Sequence, residues 1–248
     1  MEDNDAKTKF EEINKQLERK REDIFVSDLE IKTAELFKIV PDYLAPLFKE
    51  SEYPWEILPK IKQTIISLTK KGIEGYIFDE ENNLLIGKNV IIAKTATLIG
   101  PAIIGNNVEI RPGAYIRGNV IIGDDVVIGN SCEFKNCIIL NKSQVPHFNY
   151  VGDSILGYHA HLGAGVICSN LRSDEKDIII HGDISYKTNL RKIGAFIGEN
   201  VDVGCNSVLN PGTIIGSNSK VYPLTLARGV YPKDVFIKSE KEIVPLNK

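Results

Sequence analysis

Three of the four histidines, His147, His159 and His161, fall within the stretch VPHFNYVGDSILGYHAHLGAGVICSN, residues 145 to 170, beside Tyr150 and Asn170. A neutral imidazole titrates near neutral pH and is the usual acceptor of the proton that an attacking amine must lose. A phenol and a carboxamide nearby can donate and accept hydrogen bonds to a polar ligand. The same histidines could instead ligate zinc, but such a site needs a fourth ligand. The obvious candidate, Cys168, falls where the repeat described below turns it inward, so no metal is expected.

The elements that must position these residues follow a six-residue period. From Ile86 every sixth residue is apolar for ten repeats, through Ile92, Leu98, Ile104, Ile110, Ile116, Ile122, Ile128 and Phe134 to Leu140. Two places earlier runs a second apolar series, from Leu84 and Val90 to Cys132 and Ile138. A six-residue unit fits neither a helix nor plain alternation. It fits a solenoid of triangular coils, each side a short strand and a turn, with residues 18 apart stacked as parallel neighbours. The fold expected is mainly β, a parallel β-helix of hexapeptide repeats. The period resumes at Ile197, Val203, Leu209, Ile215 and Val221, after an insertion at 171–192. A loop of that length leaving a regular coil is more often functional than accidental.

Glycine often follows the large apolar residue, where it suits a tight turn. Arg111, Arg117, Lys135 and Asn141 break that rule. Arg117 and Lys135, 18 apart, should stack in adjacent coils, and like charges one strand apart repel unless an anion lies near them. That spacing points to a phosphate or carboxylate ligand, against the bland alternative of solvated surface cations.

Residues 1–79 carry a helical pattern and no motif with chemistry. Phe10, Ile13, Leu17 and Ile24 mark one stripe, and Tyr43, Leu44, Leu47 and Phe48 a second. Ile57, Leu58, Ile61, Ile65 and Leu68 mark a third, after Pro54 and stopped at Gly72. A packing or oligomerisation role is expected there. Residues 80–238 are read as the β-helix and 239–248 as a tail. The chain of 248 residues is 43% apolar with a net charge of −3, which gives no reason to expect nucleic acid or an anionic membrane as partner. No apolar run approaches the roughly 18 residues of a spanning helix. The start, MEDNDAKTKFEE, is unlike a secretory signal, so a cytoplasmic location is expected. Cys132, Cys137, Cys168 and Cys205 show no metal-binding spacing and are expected to be reduced, buried small side chains.

The run GNNVEIRPGAYIRGNVIIGDDVVIGNSCEFKN, followed by HFNYVGDSILGYHAHLGAGVICSN, resembles the acetyltransferase half of bifunctional N-acetylglucosamine-1-phosphate uridyltransferase/glucosamine-1-phosphate acetyltransferase. It resembles still more the left-handed β-helix domain of archaeal-type sugar-1-phosphate nucleotidylyltransferases. The resemblance covers roughly residues 80 to 237. It implies left-handed coils, a homotrimer with active sites between chains, and a CoA-dependent N-acyltransferase that takes acetyl-CoA and an amino sugar phosphate such as glucosamine 1-phosphate. His147 would be the general base and Asn170 would orient the amine. Arg111, Arg117, Lys135, Tyr150, His161 and Lys176 would contact the sugar phosphate, and Cys205, Tyr222 and Arg228 the acetyl-CoA. His159 would be a bystander on a turn, and the insertion would reach toward a neighbouring chain. Two departures, Leu171 for a tyrosine and Cys205 for a serine, weaken the match at the acyl-donor end. The nucleotidyltransferase domain of the family has no counterpart here, so that activity is not expected. A different class of function, a non-catalytic hexapeptide scaffold or sugar-phosphate-binding module associated with a nucleotidyltransferase, fits the same repeat.

Overall fold

The computed structural model describes residues 29–239 and 242–246, so the helical stripe of Phe10, Ile13, Leu17 and Ile24 lies outside the described residues. The chain is mainly β, a left-handed parallel β-helix with few helices. Each coil has three sides. The first side begins with Leu84–Ile86, Ala102–Ile104 and Val120–Ile122, the second with Ile91–Ile92 and Glu109–Ile110, the third with Thr97–Ile99 and Tyr115–Arg117. Residues 18 apart pair in parallel in the lower coils, as Leu84 with Ala102 and Ala102 with Val120. The two apolar residues of each repeat fill one continuous core inside the triangle.

That core shows where the six-residue frame is broken. Inward residues continue Ile128, Phe134, Ile139, Val145, Val151, Leu156, Leu162 and Cys168, then Ile197 through Ala227, Tyr231 and Ile237. The six-residue frame expected to run through Ile138 and Leu140 is corrected by the structure, in which Ile139 is the inward residue. Cys137 pairs with Val120 at an offset of 17, so the missing residue lies between Phe134 and Ile139, and Val145 is the inward residue. Ile138 and Leu140 are buried on the outside of the coil instead, in a second apolar layer. A further residue is missing between Val151 and Leu156. Every departure from the six-residue step falls on one corner, between the third and first sides. It occurs at Asn136, at Asp153, at the insertion after Asn170, and between Ala227 and Tyr231.

The second layer explains why first-side strands read as three apolar residues in a row. Their middle residues, Leu85, Ile103, Ile121, Ile138, Ile155, Phe196 and Ile214, point outward and are covered by the segment before the coils. Among the described residues that segment holds three α-helices, α1 (Thr33–Leu36), α2 (Ala45–Lys49) and α3 (Ile61–Lys71), the last stopped by Gly72 at φ 78°. The single helix suggested by the stripe from Ile57 to Leu68 is divided. Pro54–Glu56 and Leu58–Lys60 form 3₁₀ turns, because prolines at 54 and 59 lack the N–H that a continuing α-helix uses. The Glu199 carboxylate fastens the layer to the coil by accepting from the backbone N–H of Lys38 at 2.7 Å and of Ile39 at 2.5 Å.

The insertion does not simply project outward. Ile179–His181 and Ser185–Lys187 form a hairpin, Ile178 and Ile180 are buried in the helical layer, and Tyr186 packs on Tyr53 and Trp55. At the far end Ile243–Pro245 pairs antiparallel with Val235–Ile237, covering the last coil's edge where the sequence suggests only a tail. Among the described residues no helix is long and apolar enough to cross a membrane.

Candidate functional site

The residues singled out by type and spacing fall into two groups on opposite edges of the third side. His147 stands at the corner between the second and third sides, paired with Asn130 below it. Its position is fixed by Asn149, a buried side chain whose Oδ1 accepts from the His147 N–H at 3.1 Å while its Nδ2 donates to the Gly163 carbonyl at 2.7 Å. The imidazole is exposed beside Phe148, with ring centroids 6.4 Å apart. Phe148 has φ 53° and is 60% exposed, a costly conformation and location for a bulky apolar residue. Arg111 and His161 lie on the second side of nearby coils, and Cys205 sits on the His147 corner two coils further along. Tyr222 is on the second side of the last coils, edge-on to Phe236.

The other group gathers at the corner where the frame breaks. Tyr150, Lys135 and Arg117 belong to successive third-side strands. Asp153 and Asn136 turn the corner with φ values of 48° and 47°. Asn170 donates from Nδ2 to Asp153 Oδ2 at 2.6 Å, Asn136 donates from Nδ2 to Asp153 Oδ1 at 2.9 Å, and Lys135 Nζ lies 3.6 Å from Asp153 Oδ2. Tyr150 lies along the strand so that its hydroxyl and the Asn170 amide nitrogen both crowd the α-carbon of Gly152, leaving no room for a side chain there. Burial, then the charges of Asp153 and Glu133, push the Tyr150 phenol above its usual range, which keeps it a proton donor at neutral pH.

Arg117 and Lys135 do stack in adjacent coils, as their spacing predicts. Their repulsion is offset by the chain's own carboxylates. Arg117 pairs with Glu133 at 3.2 Å and Lys135 with Asp153, while Arg111 makes a two-pronged contact with Glu109 at 3.0 and 3.2 Å. The stack alone therefore does not require a bound phosphate. Glu133 and Asp153 are the residues that sequence reasoning missed. A signal for Asp153 was present, because it sits in the five-residue step from Val151 to Leu156.

The three histidines do not converge. His159 occupies a turn column with φ 57°, shared with Asn107, Asp125 and Asn200 at the corner between the first and second sides. His161 Nδ1 lies 2.8 Å from Asp202 Oδ1, a geometry in which Nδ1 carries the proton and donates it. Lys176 is on the exposed bend of the insertion, its N–H 3.4 Å from Asp174 Oδ1. Arg228 lines a cleft of about 680 Å³ between the insertion and the third side, with Ser169, Asn210 and His181. A second cleft, of about 520 Å³, is walled by Asp153 and Asn136, by Leu58 and Pro59 of the helical layer, and by Leu171 and Leu190–Lys192 at the base of the insertion.

Residues 98–216, which include His147, Lys135, Tyr150, Asp153 and Asn170, match the family model described as "GMPPB C-terminal domain". This is a hexapeptide-repeat β-helix protein. The hexapeptide-repeat chain is 38% identical over 241 residues to "Bifunctional protein GlmU" of Methanococcus maripaludis strain C7, covering 95% of this chain and 58% of that protein. It is 40% identical over 97 residues to the "Bifunctional sugar-1-phosphate nucleotidylyltransferase/acetyltransferase" of Sulfurisphaera tokodaii, covering 39% of this chain and 24% of that protein. It thus spans little more than half the length of the first relative. The 95% coverage of this chain takes in the helical layer as well as the coils. Among solved structures, a mutant of AntD, an N-acyltransferase from Bacillus cereus, in complex with dTDP-4-amino-4,6-dideoxyglucose and coenzyme A, is 18% identical with a TM-score of 0.39, covering 70% of this chain and 89% of that one.

Proposed function

We propose that the protein is a CoA-dependent N-acyltransferase that transfers an acetyl group from acetyl-CoA to the amine of a sugar phosphate such as glucosamine 1-phosphate. The observation that carries the reading is the cluster of Lys135, Tyr150, Asp153 and Asn170 at the corner where the coil frame breaks. It is supported by the relative named "Bifunctional sugar-1-phosphate nucleotidylyltransferase/acetyltransferase", 40% identical over 97 residues. Lys135 and Arg117 supply cations for the phosphate, Tyr150 a donor, and Asn170 an amide whose oxygen accepts from the amine. His147 removes the amine's proton as nitrogen attacks the thioester carbonyl, and the CoA thiolate leaves as the amide forms.

A side of the triangle is five or six residues at about 3.3 Å each, so His147 and Asn170 of one chain stand at opposite edges of a strip roughly 15–20 Å wide. A general base must come within about 3 Å of its proton, directly or through a water. In a homotrimer the His147 corner of one chain lies against the Asn170 corner of the next, which brings the two groups into one site. Cys205, Tyr222 and Arg228 remain the residues proposed for acetyl-CoA.

The internal pairing of Arg111, Arg117 and Lys135 favours a second reading, a sugar-phosphate-binding scaffold without turnover, because a phosphate must compete with carboxylates already in place. Release of free thiol from acetyl-CoA, followed over a panel of hexosamine phosphates, separates the two. Wild type is expected to release thiol with an amino sugar phosphate and His147→Ala to lose it by roughly 100-fold or more. Equal inactivity of both proteins, with the sugar phosphate still bound, supports the scaffold.

A further inference from the structure

We infer that Asp153 is a positioning residue that fixes which end of the Asn170 carboxamide faces the acceptor's amine. The inference rests on the acyltransferase reading for the identity of the acceptor, but the geometry behind it is independent of turnover. A carboxamide has one donor end and one acceptor end, and nothing in its shape selects between two flips. Here the surroundings select. Asp153 is 5% exposed and its carboxylate can only accept. Its Oδ1 takes the Nδ2 hydrogen of Asn136 at 2.9 Å, and its Oδ2 takes that of Asn170 at 2.6 Å, with Lys135 Nζ at 3.6 Å. The Asn170 nitrogen is thereby held on the Asp153 and Tyr150 side, and its Oδ1 is left to accept from an amine. The reverse flip would set a carboxamide oxygen against a carboxylate.

The backbone supports the same assignment. Asp153 occupies the left-handed region, at φ 48°, where the coil is one residue short, and Asn136 does so at φ 47° one coil below. Asp153 and Asn136 also wall the cleft of about 520 Å³ beneath the insertion, so the carboxylate sits between the third-side face and a space of its own.

The test is a swap. In Asp153→Asn a carboxamide must meet two donors, Asn136 and Asn170, and one contact becomes donor against donor unless Asn170 turns over. In Asn170→Asp two carboxylates face each other. In the double variant Asp153→Asn/Asn170→Asp the new amide donates to the new carboxylate, keeps its oxygen toward Asn136, and leaves an acceptor for the amine. The first readout needs no catalysis: affinities for glucosamine 1-phosphate and glucose 1-phosphate, which differ in amine against hydroxyl, are compared by titration calorimetry. Wild type is expected to prefer the amino sugar, each single variant to lose roughly 10-fold or more of that preference, and the double variant to regain most of it. The second readout is acyl transfer, where kcat should fall in the single variants and recover in the double, with KM for acetyl-CoA unchanged throughout. Losses that simply add in the double variant would show a structural role, and a preference that is absent in wild type or untouched in the single variants overturns the inference. If the preference behaves as expected but no protein releases thiol from acetyl-CoA, the acyltransferase reading fails and the positioning role stands.

Discussion

Two glycines separate what the fold needs from what the proposed site needs. At Gly129 an added β-carbon would run into the backbone of Pro146 in the coil above, and backbone cannot swing aside. At Gly152 it would meet side chains only, the Tyr150 hydroxyl and the Asn170 amide, and φ there is not in the left-handed region. Gly129→Ala is therefore expected to be destabilised by several kcal/mol, in the range of severe overpacking. Gly152→Ala should fold within about 1 kcal/mol of wild type yet lose amino sugar binding, because the Tyr150 ring is displaced from Asn170. Denaturant midpoints and ligand titrations of the two variants check this; equal loss of stability in both would contradict it. The candidate residues legible in sequence were those whose type is uncommon in a hexapeptide frame, such as Lys135 and His147. Glu133 and Asp153 were not legible as site residues, because an acidic residue on a β-helix face or turn is ordinary until its partner is seen.

The short coils and their side-by-side stacking could be read from the six-residue period, since core positions recur wherever a parallel side is packed inside. The frame shift could not, because Leu140 is as apolar as Ile139 and either fills the pattern. It is the outer layer that gives Leu140 and Ile138 a second place to be buried. A recurrent trace of that layer existed in the triplets Ala102–Ile104, Val120–Ile122, Cys137–Ile139 and Ala195–Ile197, in which all three residues are apolar and buried. The helical layer carries its own test. Tyr76 follows α3 and donates to Asp124 Oδ1 at 3.2 Å, tying the layer to the third coil. Burial, then the nearby Asp124 charge, pushes its phenol up to about 12. A phenol raised in the fold adds stability that is present below its free value of about 10 and is lost as pH rises through about 12. Thermal midpoints should therefore fall between pH 10 and 12, and Tyr76→Phe should make that fall shallower. An identical alkaline profile for the two proteins would show that the phenol contributes nothing.

At the scale of the molecule, a solenoid has no single deep centre, so chemistry has to be built where the repeat is interrupted or where two chains meet. This protein has interruptions in three consecutive coils on one corner, at Asn136, at Asp153 and at the insertion that follows Asn170, while His147 stands on the next corner round. The proposed acyl-transfer site is shared between two chains, with the base from one and the amine-orienting amide from the other. The most direct measurement is acetyl-CoA turnover, with glucosamine 1-phosphate as acceptor, by oligomers reassembled from two inactive variants, His147→Ala and Asn170→Ala. Each variant alone is expected to be inactive and the mixture to recover a fraction of wild-type activity, because mixed oligomers contain sites with both residues intact. A mixture as inactive as its parents, alongside an active wild type, would contradict the shared site.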